Sequence, residues 1–139
     1  MDKTIILLLL YVDICIGFGF YMYLWRIKKL IGFHLGMNIS IVMGGMIALI
    51  FGVLLILQFP FHFTLITVVS TLTGLVVGAM FGLLFDYQTF VTGLTNGIVV
   101  GLMSPMIGTI IEMPSVFVWC IHIFFAISLC TISISIKRS

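Results

Sequence analysis

Polar residues gather in four short clusters along the chain, "RIKKL", "QFPFH", "FDYQT" and "IEMPS", and the stretches between them are almost wholly apolar. Those stretches predict five helices, over about 4–25, 31–57, 63–85, 90–110 and 115–136. Each is near or above the roughly 20 residues that cross the hydrocarbon core of a bilayer. Pro60 and Pro114 fall in the connections, where a missing backbone donor is harmless. The fourth stretch contains "TGLTNG" and is the least apolar, so a chain of four spans with a re-entrant fourth segment is the alternative. The expected fold is all-α, a compact bundle of about five transmembrane helices forming one domain over 1–139.

Within the runs, small residues recur every four positions. The second span carries Gly32, Gly36, Ser40, Gly44, Ala48 and Gly52, the third Ser70, Gly74, Gly78 and Gly82, and the fourth Gly93, Gly97 and Gly101, continuing to Pro105. Residues four apart share a helix face. Small side chains on such a face let backbones approach closely, which drives helix association in lipid. Helix packing is therefore the expected role of Gly36, Gly44, Gly74, Gly78, Gly82, Gly93, Gly97 and Gly101. A bundle this small has few interior faces, so one stripe is expected to meet another copy of the chain or a partner membrane protein.

Composition sharpens this picture. Of 139 residues, 63% are hydrophobic and 7% charged, against about 25% charged in an ordinary soluble domain. No basic patch with interleaved aromatics offers a surface to nucleic acid. Cys15, Cys120 and Cys130 lie inside apolar runs without CxxC spacing, which gives no disulfide framework. Positive charge sets the orientation: Arg26, Lys28 and Lys29 flank the first connection, and Lys137 and Arg138 come after the last span. With five spans these places share a side, and by the positive-inside rule that side is the cytosol. The expected location is a bacterial cytoplasmic membrane, N-terminus outside and C-terminus cytosolic. The first span is expected to be retained, because its apolar part is too long for a cleaved signal.

Candidate chemistry is sparse. Asp13 lies about nine residues into its span, roughly 14 Å deep by the helical rise. A carboxylate near the midplane normally faces the bundle interior and marks a partner or a pathway. No Lys or Arg shares that depth, so its counter-charge is expected to be a bound cation or a proton. The chain also has nine methionines, and one phrase occurs nearly twice: "MGGMIALI" at 43–50 and "MSPMIGTI" at 103–110. The second and fourth spans run in the same direction, which places Met43, Met46, Met103 and Met106 at similar depth. Thioether sulfur is a soft ligand suited to copper(I), although methionine also serves as a flexible filler of apolar gaps. Met43 is three residues past Ser40 and Met103 two past Gly101, so the pairs point about 100° apart relative to their stripes. His62 and His122 differ in depth by about two turns, which argues against a bis-histidine haem. Asn38 and Asn96 suit hydrogen bonds between helices.

Two functions follow as expectations. The first is an oligomeric transporter or channel for a cation, copper(I) the specific candidate, with Met43, Met46, Met103, Met106 and Asp13 along its path. The second is a non-catalytic membrane subunit or assembly factor that packs against partners through its glycine stripes. No cofactor beyond that ion is expected, and no Ser/His/Asp grouping, zinc signature or paired carboxylates suggest an enzyme.

Overall fold

A computed structural model describes residues 3–138. It is 91% helical and has five helices long and apolar enough to span a membrane. In chain order these are α1 (Lys3–Ile27), α2 (Phe33–Gln58), α3 (Phe63–Leu83), α4 (Tyr87–Ile110) and α5 (Pro114–Arg138), with a short 3-10 turn over Lys28–Leu30. The fourth run is one uninterrupted helix rather than a re-entrant segment. It starts at Tyr87 because Asp86 caps it, the Asp86 carboxylate accepting from the Thr89 N–H at 2.9 Å. Proline begins α5, at a position where its missing donor would be unpaired in any case.

Helices α2, α3 and α4 pack against one another as a three-helix core, while α1 and α5 lean on α2. The central place of α2 shows in its burial: 61% of its most apolar stretch is covered, against 22% for α1 and for α5. The small-residue stripes make the core. A Cβ added to Gly44 would lie 2.9 Å from the Gly78 Cα, one on Gly82 2.5 Å from the Phe90 Cα, and one on Gly101 2.5 Å from the Thr71 Cα. Gly74 meets the backbone of Gly97, and Gly78 that of Gly93. Gly36 lies under the Phe85 ring, where a Cβ would come within 2.8 Å of Cγ. Backbones this close leave no room for a side chain, so the four-residue spacing is a steric requirement. Gly32, at the head of the α2 stripe, is the exception and meets nothing within 4 Å.

Polar groups then lock the register. Ser40 Oγ donates to the Thr89 carbonyl at 3.2 Å, and Asn96 Nδ2 to the Ile41 carbonyl at 2.8 Å, both joining α2 to α4. Pro105 sits inside α4 and cannot donate to the Gly101 carbonyl four residues back. In lipid a freed carbonyl must find another donor. Here the Gly101 oxygen accepts from Ser70 Oγ of α3 at 2.7 Å and from Ser104 Oγ at 3.2 Å. The proline's cost is thus offset by a serine on the adjoining helix.

Candidate functional site: a buried carboxylate between the terminal helices

The inward face of α1 comprises Ile6, Leu9, Leu10, Asp13 and Leu24. Asp13 sits on that face among leucines and is only 2% exposed. Its partner comes from the other end of the chain. His122 of α5 has its side chain 15% exposed, and its Nε2 lies 3.0 Å from Asp13 Oδ2. The depths agree: Asp13 is ten residues from the start of α1 and His122 eight from the start of α5, roughly 15 and 12 Å along their helices at ~1.5 Å per residue.

The second ring nitrogen decides what the pair can be. His122 Nδ1 is 2.7 Å from the Val118 carbonyl oxygen, which can only accept. Nδ1 therefore carries a hydrogen. If the ring is neutral, Nε2 has a lone pair, and Asp13 must be a carboxylic acid donating to it. If Asp13 is ionised, Nε2 must carry a hydrogen, and the ring is an imidazolium. Either way the pair is neutral overall and shares one proton. Remove that proton and a nitrogen lone pair faces an oxygen, at Asp13 or at Val118. The geometry thus holds one shared proton in an apolar setting, where a net charge is expensive. Asp13 Oδ1 is buried and has no hydrogen-bond partner among the described residues.

Beside the pair lies an apolar cleft of about 310 Å³ between α1 and α3, floored by α2. Asp13, Phe18, Tyr21, Ile47, Val77 and Phe81 are among the residues that line it. The Tyr21 and Phe81 rings meet edge to face at 5.4 Å. Its rim is apolar and outward-facing, with Phe18 66% and Met22 52% exposed, so the cleft opens sideways on the flank of the bundle. Asp13 is its one carboxylate and Tyr21 its one other ionisable lining group; α2 and α3 contribute none. On α5, Cys120 is two residues from His122 and so points about 200° away from it.

The four methionines are not brought together within one chain. Met43 is fully buried in the core and Met46 packs against it, but Met103 and Met106 are 53% and 60% exposed. The cause is helical phase. The buried face of α4 is Gly93, Gly97, Gly101, Ser104, Pro105 and Gly108, and Met103, two residues past Gly101, falls about 200° from it. α2 is covered on nearly all sides, so its methionines are inside whatever their phase. Asn96 serves helix packing, and Asn38 is exposed. His34 and His62 are also exposed, at the helix ends. Among the described residues no three His, Cys, Asp or Glu side chains gather to hold a metal ion.

His122 as the partner of Asp13 is the candidate residue that the sequence did not yield. Its signal was there: both residues sit a similar number of positions from the same-side ends of their spans. No family model, no curated protein and no solved structure matches this chain.

Proposed function

We propose that this protein is a small membrane transporter that exchanges a proton for a cation at the Asp13–His122 pair. The observation that carries the proposal is the pair itself: a buried carboxylate bound to a histidine whose other nitrogen is committed to Val118. Such a pair is neutral with its proton. It is neutral again when the proton leaves and a monovalent cation takes a place at the carboxylate. Holding both at once leaves a net positive charge, and holding neither leaves a net negative one. Both are penalised in the hydrocarbon region, so proton and cation alternate. The unpartnered Oδ1 gives the cation an oxygen that binding it does not take from His122.

The partner-subunit alternative draws less support. It relied on glycine stripes being free for another protein, and those of α2, α3 and α4 meet neighbours inside the chain. The expected orientation, N-terminus outside a bacterial cytoplasmic membrane, would place both members of the pair in the outer half. The test is reconstitution into proteoliposomes containing a pH-sensitive dye, with gradients of sodium, potassium or silver(I) imposed in turn. At least one gradient should drive proton counterflow through the wild type, and Asp13→Asn should abolish it. A wild type that moves no protons under any of these gradients would return the protein to the partner-subunit reading.

A further inference from the structure

The cleft beside the pair has a shape and lining that small hydrated ions do not require. It holds about 310 Å³ and is walled mainly by aliphatic and aromatic side chains; the Thr73 hydroxyl that also lines it is committed to the Val69 carbonyl at 2.8 Å. Asp13, 2% exposed, contributes to the wall, and its Oδ1 is buried without a partner. An apolar pocket with one unsatisfied acid selects a ligand whose body is apolar and whose single polar feature is positive charge. Aromatic faces add to that preference, because a cation is attracted to a ring quadrupole; Phe18, Tyr21 and Phe81 all reach the cleft.

We infer that this cleft is a binding site for a lipophilic organic monocation, of the quaternary ammonium or phosphonium class, entering sideways between α1 and α3 with its charge against Asp13 Oδ1. This rests on the exchange reading, because a cation against Asp13 leaves the site neutral only when the shared proton departs. The occupant is a cation rather than a lipid chain because of charge complementarity. An acyl chain would fill the apolar volume and leave the buried carboxyl oxygen unpaired, which carries a penalty in an apolar medium. A neighbouring helix would need a donor at this depth to do better.

Equilibrium dialysis of radiolabelled tetraphenylphosphonium against purified protein in detergent tests the inference. Saturable binding at about one site per chain is expected. Asp13→Asn should weaken it at least tenfold, while size exclusion confirms that the variant remains folded. Val77→Phe keeps the carboxylate and fills the cleft, and should weaken binding comparably. The uncharged triphenylphosphine oxide should compete poorly. The inference is overturned if the wild type shows no saturable binding, if the oxide competes equally well, or if either variant binds like the wild type. Equal binding by Asp13→Asn would mark an apolar site that a lipid chain fills. Proton release measured in the same samples separates the two readings. Binding without proton release sinks the exchange mechanism and leaves the cleft an apolar site whose cation is not paired with Asp13. Proton flux driven by sodium, potassium or silver(I) without phosphonium binding does the reverse.

Discussion

The three middle helices and the two terminal helices are held by different means. In α2, α3 and α4 the contacts are backbone on backbone: Gly44 on Gly78, Gly74 on Gly97, Gly78 on Gly93. Hydrogen bonds from Ser40, Ser70 and Asn96 to carbonyls of adjoining helices repeat the linkage along the length. α1 and α5 instead lean on α2 through large aliphatic side chains. The one side-chain hydrogen bond between them, among the described residues, is His122 to Asp13. Close backbone packing is dense and tolerates little movement. The cleft lies where the α1 flank meets that core at α2 and α3, and the Asp13–His122 hydrogen bond joins the two flanking helices. The backbone-on-backbone contacts lie among α2, α3 and α4, and the buried polar pair lies between α1 and α5.

The sharpest way to break this contrast is to place the same substitution in both halves. Gly78→Leu drives a side chain into the Gly93 carbonyl. We expect a loss of about 3 kcal/mol or more, at or beyond the upper end of overpacking penalties, read as a lower melting temperature or a collapsed peak on size exclusion in detergent. Gly19→Leu, on α1 where nothing lies within 4 Å of an added Cβ, should change stability by less than about 0.5 kcal/mol. Equal effects at the two sites would erase the distinction between core and flank.

The next effect belongs to the pair. Asp13→Leu leaves the His122 ring without its carboxyl partner and should cost about 1–3 kcal/mol, the penalty for orphaning a buried polar group. Adding His122→Leu should recover most of that stability, since replacing both members of a buried pair with apolar groups is often nearly neutral. Proton exchange should not recover. A double variant that regains transport along with stability would reduce the pair to a structural clasp.

Much of this was legible in the sequence, for reasons that differ from place to place. The helices were readable because lipid demands long apolar runs, and the faces of α2, α3 and α4 because glycine spacing records where backbones touch. The Asp86 cap, which starts α4 at Tyr87 rather than residue 90, is a local signal that a reading of apolar runs passes over. The Asp13–His122 contact joins residues 109 apart, and no periodicity within either helix encodes which helices are neighbours. Depth alone could have paired them, had the two spans been laid side by side. The methionines show the converse. Matching depth suggested a shared site, but the phase of α4 against Gly101 turned Met103 and Met106 outward.

Inside the core, Ser70 offers a smaller and more specific effect. Ser70→Ala removes a donor to the Gly101 carbonyl that Pro105 leaves unpaired, and should cost about 1–2 kcal/mol. In a Pro105→Ala background the helix supplies its own donor to Gly101, and the cost of Ser70→Ala should shrink by about half or more. Chemical denaturation of the four proteins measures the coupling energy directly. Additive losses would show that the serine does not compensate for the proline.

The smallest effect is expected where α4 faces outward. Met103 and Met106 are 53% and 60% exposed on a helix whose opposite face is packed, so in a membrane they meet lipid. Leucine has nearly the same volume as methionine, and volume-conserving apolar swaps are tolerated even in cores. Met103→Leu with Met106→Leu should therefore shift stability by no more than about 0.5 kcal/mol, and should leave proton exchange driven by sodium or potassium unchanged. Silver(I) makes the experiment decisive about the methionines. Outward thioethers on a lone chain offer a soft ion two sulfurs at most, a weak site beside the fuller soft-ligand sets that hold copper(I). If silver(I) binding by the wild type is strong and the double variant loses it, the sulfurs must be completed from elsewhere. The nearest source is the same face of a second copy, which would make α4 an interface and the copper(I) path a property of the assembly. If silver(I) binding is weak or unchanged, these methionines are lipid-facing apolar surface, and the proposed cation exchange rests on the Asp13–His122 pair without them.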